Sequence, residues 1–230
     1  MQKPKWLTFT DKLIGPLFPI ASGVLDSKKS ANMHLSQIPT MALFHLFGCL
    51  YASIEANERG QHSVAICLIR QCVEALTLID LGLQEPSYRE PLLEKWETGK
   101  KSHGEIRKAL EQDIWPNYGH GLWDEPWREY FGNLARAVQP YAHYSPEVMG
   151  WQMRGALPMY RPEIRYAPVL VLMMLFAIVH VVVFPYTGGT CNAGRRLGRS
   201  GFALISPGWE VLYGDNAYAY EASASWCVAR

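Results

Sequence analysis

The pair of residues whose chemistry stands out most is Arg136 and His143, with six residues between them in the stretch NLARAVQPYAHYSP, residues 133–146. An imidazole titrates near neutral pH and can take or give a proton, and a guanidinium offers a planar fork to an anionic oxygen. On an ideal helix a separation of seven positions returns close to the same face, so the two side chains would point together. Arg136 would then lie opposite an apolar stripe made by Trp127, Tyr130, Phe131, Leu134 and Val138. Pro140 stands between the pair and lacks the amide that would bond the Arg136 carbonyl, so the helix is expected to end or kink there. Structural roles compete with chemistry: Arg136 as a solvated residue, and His143 packed in a turn with Tyr141 and Tyr144. A second charged pair, Arg70 and Glu74, is spaced four apart and reads as an ion pair tying one helix to its neighbours.

Other chemistry is thinly represented. The five cysteines (Cys49, Cys67, Cys72, Cys191, Cys227) form no CxxC pair, and Cys67 and Cys72 sit in an apolar run as small buried hydrophobes. Gly119-His120-Gly121 has no second histidine within helical reach, so no metal site is expected, and no cofactor fingerprint such as GxGxxG or GxxxxGK[ST] occurs. Trp115, Tyr118, Trp123 and Trp127 surround that loop; they can stack bases, but a staple holding the loop to the body is the simpler reading. A net charge of +1 gives no global pull on nucleic acid, which leaves RNA to a local patch.

These residues must be positioned by helices. The chain is long enough for one generous domain, and its 49% apolar content fits a packed core. Residues 1–39 carry Gly15, Pro16, Pro19, Gly23 and Pro39, and the breakers predict an irregular arm with a turn or two of helix. Met41, Phe44, Phe47, Tyr51 and Ile54 recur every three or four residues and predict a helix to Glu58, with Thr40 as cap and Gly60 as stop. Ser63 to Leu83 is apolar on most of its circumference, which predicts a buried central helix. Ser87 with Glu90, and Ser102 with Glu105, match capping boxes for two short helices. Asp124 is expected to cap the Trp127 helix, and Ser145-Pro146 to open another. A last long helix is expected over about 163–184.

Residues 185–230 are rich in glycine, with Arg195, Arg196 and Arg199. They read either as a small β-hairpin around Pro207-Gly208 or as a tail without fixed structure. Residues 167–184 carry no formal charge and are just long enough to cross a bilayer. Pro168, His180 and balanced flanking arginines favour a buried bundle helix, with membrane association as the alternative. No secretory leader is evident at Met1–Trp6, so a cytoplasmic location is expected.

Taken with RQCVEAL at 70–76 and EKWETG at 94–99, the 133–146 stretch resembles the HEPN-like all-helical proteins of prokaryotic defence and abortive-infection systems, over residues 40–184. The resemblance implies a helical bundle that works as a homodimer or with a protein partner, as a non-catalytic interaction or regulatory module. In catalytic members it implies a metal-independent ribonuclease. There the residue matching His143 would activate the ribose 2′-hydroxyl or protonate the leaving oxygen, and that matching Arg136 would stabilise the phosphate, with Arg70, Glu74, Tyr141 and Tyr144 in support. Where the family usually has Asn, Asp or His after the arginine, this chain has Ala137.

Overall fold

In the computed structural model the described residues are 5–29, 31–120, 125–141, 146, 149 and 163–187. They form seven α-helices and no strand, so the all-α expectation holds. The helices are α1 (Lys5–Ser27), α2 (Met33–Glu58), α3 (His62–Leu83), α4 (Pro86–Glu97), α5 (His103–Asp113), α6 (Trp127–Val138) and α7 (Glu163–Thr187). Short 3-10 turns, Trp115–Asn117 and Gln139–Tyr141, follow α5 and α6.

The centre is α3, apolar nearly all round as its sequence predicts. It touches α1, α2, α4, α5, α6 and α7, and Ile66, Ile69, Cys72, Leu76, Ile79 and Leu81 are buried, with Leu68 and Cys67 half-buried. α2 and α3 form an antiparallel hairpin across Arg59–Gln61, where Gly60 takes a φ of 74° that only glycine adopts without strain. Ser53 on α2 ties the pair by donating from Oγ to the Ala65 carbonyl.

The expected irregular arm over 1–39 is corrected: it holds a continuous α1 and the first turns of α2. Ile14, Leu17, Ala21 and Leu25, spaced three or four apart, are buried, while Pro16 and Pro19 lie on the exposed side. An interior proline costs about 3 kcal/mol through the lost hydrogen bond and the crowding of the carbonyl four residues back. On the solvent face water hydrates that carbonyl, and each buried Leu or Ile contributes about 1.5–3 kcal/mol. Burial therefore wins.

α2 likewise starts at Met33, where Asn32 caps by accepting from the Leu35 amide, rather than at Thr40. Pro39 is buried inside it and lies against Gly82 of α3, where a Cβ would come within 2.3 Å of the proline ring. Thr40 is a residue of the helix interior, its Oγ1 donating to the Ser36 carbonyl.

Two further caps differ from expectation. α4 begins one residue before Ser87, because Pro86 supplies a preset first-turn φ and Glu85 stands extended before it. α6 starts at Trp127 behind Pro126, not behind Asp124, which lies outside the described residues, as do Ser145 and Trp123. The Ser102–Glu105 box is present in both directions. The stripe of α6 is buried at Trp127, Tyr130, Phe131, Leu134 and Val138.

Most side chains of α7 from Leu170 to Val182 are buried. Among the described residues, the helix long and apolar enough to cross a membrane is α2, with half of its apolar window buried. Residues 188–230, and the hairpin expected there, lie outside the described residues.

Candidate functional site

Two places gather titratable and aromatic side chains. The first is interior, where the last turns of α3 meet the 3-10 turn after α5, α6 and α7. Asp80 sits there among Ile79 and Leu81 and is 1% exposed. It accepts hydrogen bonds from Trp115 Nε1 at 2.7 Å, Tyr118 OH at 2.5 Å and Gln84 Nε2 at 3.1 Å. Burial pushes its carboxyl up to about 6, against the pull of those donors. Next to it His180 of α7 stacks on Trp127, centroids 4.1 Å apart and 11° from parallel. Its Nε2–H donates to the Tyr118 carbonyl at 3.0 Å. Burial pushes the imidazole down to about 4, the hydrogen bond opposing. A carboxyl leaning neutral and an imidazole held neutral are how a core takes in polar groups. With Asp80, Trp115, Tyr118 and Trp127 buried and His180 and Gln84 half-buried, this cluster locks helices together. Trp115, Tyr118 and Trp127 of the aromatic staple read around the loop form its wall.

Below it, buried Arg89 of α4 donates from Nη1 to the carbonyls of Gly82 and Gln84, at 2.7 and 3.0 Å, and from Nη2 to that of Lys28. A cation thereby closes the C-terminal ends of both α1 and α3, where carbonyls lack helical partners.

The second place is open. A groove of about 470 Å³ runs between α2, α3, α4 and α5, lined among others by His34, Met41, His45, Glu74, Trp96 and His103. His34 and His45 are eleven positions apart on α2, three turns, so both reach the same side. His34 pairs with Glu97 across the groove mouth, and Trp96 stands edge-on to His103 with centroids 5.3 Å apart. One turn beyond His45, Cys49 lies with its Sγ 3.6 Å from His45 Nε2. A hydrogen bond from Cys72 brings the Cys49 thiol down to about 6, against burial and with help from His45, yet Cys49 is 7% exposed and faces the α3 side. The groove offers imidazole donors and acceptors over an apolar floor. That suits gripping a polar side chain or a flat ring, and no cluster among the described residues could hold a metal.

α2 carries this groove on one edge, with Met41 in its lining, and an exposed apolar face beside it, where the Phe44 ring leans on Phe18 of α1 with centroids 5.3 Å apart. Met41, Phe44 and Tyr51 are 60%, 55% and 52% exposed. The stripe read from the sequence is thus split: Phe47 and Ile54 face the core, and the other three face out.

The residues singled out for chemistry are partly placed. Arg70 Nη2 bonds Glu74 Oε1 at 2.8 Å, as the spacing predicts, and Arg70 Nη1 reaches Gln139 Oε1 at 3.1 Å, just past the end of α6. Arg136 is exposed on α6, on the side away from the buried stripe, and donates to Asn133 Oδ1. α6 gives way to a 3-10 turn after Val138, two residues before Pro140. His143 and Tyr144 lie outside the described residues, as does the side chain of Tyr141. Sequence reasoning missed Asp80, whose sole signal is a carboxylate inside an apolar run. It also missed the groove histidines, because taking Pro39 as a boundary separated His34 from His45.

Comparison with protein-family models, with curated proteins and with solved structures returned no match.

Proposed function

We propose that this chain is a non-catalytic interaction module of the HEPN-like helical kind, which works by presenting the outer face of α2 to another protein. One observation carries the reading. From Met33 to Ile54 α2 has no Asp, Glu, Lys or Arg, although Met41, Phe44 and Tyr51 on its outer side stand more than half exposed. Single exposed apolar residues are ordinary, but a contiguous run on one helix face, with no charge to keep it wet, marks a contact surface. Imidazoles along the adjoining groove add polar selectivity at its rim. The setting implied by the resemblance is a prokaryotic defence or stress system in the cytoplasm.

A photoreactive benzoylphenylalanine in place of Tyr51 tests this in cells. The expected result is a discrete covalent adduct with one protein, lost when Met41→Glu is added. An adduct to lipid, or none, overturns it. RNA cleavage in chelator that vanishes in both Arg136→Ala and His143→Ala would put the metal-independent ribonuclease in its place, with exposed Arg136 facing the phosphate.

A further inference from the structure

We propose that Cys49, His45 and Cys72 form a hydroperoxide-reducing thiol site in the α2–α3 hairpin. Cys49 is the attacking sulfur, His45 takes its proton, and Cys72 is the thiol that closes a reversible disulfide. The site goes beyond the interaction-module reading and uses a different part of α2.

Either cysteine alone would be a small buried hydrophobe. The hairpin register makes them a pair. α2 and α3 run antiparallel, and two bonds fix which positions stand level: Ser53 Oγ on the Ala65 carbonyl, and Cys72 Sγ on the Leu46 carbonyl at 3.7 Å. A helical carbonyl points along the axis towards the residues three and four further on, so the Leu46 oxygen lies at the level of Cys49. Cys72 Sγ therefore reaches α2 beside Cys49, close enough for the two thiols to hydrogen-bond. Both are free thiols.

His45 is the second ground. It stands one turn before Cys49, with Nε2 3.6 Å from Sγ, and its ring is exposed and lines the groove. An imidazole so placed can take the thiol proton. The Cys72 hydrogen bond outweighs burial and, with His45, brings the Cys49 thiol down to about 6. Near neutral pH the sulfur is then mostly thiolate, its nucleophilic form. Cys67 gives the contrast. It is the more exposed of the two, yet burial pushes its thiol up, with Arg70 opposing. Exposure alone would choose Cys67 as the reactive sulfur; the surroundings choose Cys49.

Cys49 is 7% exposed, which bars bulky oxidants and leaves hydrogen peroxide, the smallest hydroperoxide, as the reactant that fits. The Cys49 thiolate attacks one peroxide oxygen. An S–O bond forms, the O–O bond breaks, and the departing hydroxide takes the proton held on His45 and leaves as water. The sulfur is oxidised to a sulfenic acid as the peroxide is reduced. Burial, and then Cys49 itself, push the Cys72 thiol up, so it waits protonated; the share due to the Cys49 charge vanishes once Cys49 is oxidised. Cys72 then attacks the Cys49 sulfur, the S–S bond forms, the S–O bond breaks, and hydroxide leaves with the Cys72 proton as a second water. Two thiols and one peroxide become one disulfide and two waters.

The test treats the purified full chain with an equimolar dose of hydrogen peroxide, alkylates the remaining thiols and maps the chain with trypsin without reduction. Cleavage at Arg59, Arg70 and Arg89 puts Cys49, Cys67 and Cys72 on separate peptides. The expected product is a Cys49–Cys72 linked pair, reversed by dithiothreitol, formed while Cys67 is still alkylated. Cys72→Ser should leave Cys49 as a sulfenic acid captured by dimedone, and Cys49→Ser should leave Cys72 a thiol. His45→Gln, at an exposed position and with folding checked by circular dichroism, should slow oxidation of Cys49 about tenfold through loss of thiolate. Thiols that all survive, a link between any other pair, oxidation of Cys67 ahead of Cys49, or a Cys49 rate indifferent to His45→Gln overturns the site. None of these readouts depends on the outer face of α2, so their failure leaves the interaction-module reading to its own crosslinking test.

Discussion

Two regions of this bundle use the same kinds of side chain for opposite purposes. Around Asp80 a buried carboxyl, a half-buried imidazole and three buried aromatic rings pack together, and burial moves both titrating groups towards neutrality. Along α2 the imidazoles and aromatics lie in the open, with the apolar atoms outside and no charge among them. The contrast teaches that residue type alone does not mark a working site. Asp80 and His180 look like an acid–base pair by composition, but they are cross-braces. The plain-looking Met41, Phe44 and Gly48 stand where a partner can reach them.

The strongest way to break the comparison is to remove the brace. Asp80→Ala leaves Trp115 Nε1 and Tyr118 OH inside the core without the acceptor they both use. Each stranded buried donor costs about 1–3 kcal/mol, so unfolding in urea should show a loss of about 3–5 kcal/mol. Met41→Glu, on the open face, should cost the isolated chain under about 1 kcal/mol in the same assay. A small loss at Asp80 would mean that the cluster is wet, and the contrast would fail.

A subtler test uses pH. With its native pKa raised from 3.8 to about 6, Asp80 holds in the fold a proton that the unfolded chain releases. Its contribution is full below about pH 4 and is lost as pH rises to about 6. His180 is lowered from 6.5 to about 4, so the unfolded chain takes up a proton that the fold refuses. Its contribution is full above about 6.5 and is lost as pH falls towards 4. The two slopes oppose each other across one window, and the parent's stability should be nearly flat there. Asp80→Asn should uncover stability that falls on acidification, and His180→Gln stability that falls as pH rises from 4 to 6. Each slope should approach about 1.4 kcal/mol per pH unit, the limit for one proton, read from denaturant midpoints at several pH values. Parallel profiles in the two variants would show that the groups do not titrate as their burial demands.

What could be read beforehand follows the same divide. α3 is legible because apolar residues cover its whole circumference, and α6 because its apolar residues keep to one stripe. α2 is apolar on both sides. Met41, Phe44 and Tyr51 share a face by spacing, but so do Leu43, Leu46 and Leu50, and only packing decides which set goes inside. α1 was illegible for another reason. Pro16 and Pro19 each remove a helical hydrogen bond and crowd the carbonyl four residues back, a cost that burial of Ile14, Leu17, Ala21 and Leu25 offsets, and a sequence does not say that the prolines take the wet side. Asp80 is hidden still more simply, since its partners Trp115 and Tyr118 come from a turn more than thirty residues away. Of the expected Arg136–His143 pair, α6 leaves Arg136 exposed on the side away from its buried stripe, and His143 lies outside the described residues.

Two glycines give the smallest and sharpest comparison, because the same substitution should act with opposite sign. At Gly82 an added methyl would lie 2.3 Å from Pro39 Cγ, and a ring within a helix cannot swing aside. Gly82→Ala should push α2 from α3 and cost about 1–3 kcal/mol, even though alanine is the better helix former. At Gly48 the methyl meets no atom of its own chain, so Gly48→Ala should raise the stability of the purified chain by about 0.5–1 kcal/mol through helix propensity. Thermal melts of both purified variants measure the difference directly. If Gly48→Ala instead destabilises the purified chain, something within the same molecule already lies on α2, and its outer face is not open to a partner.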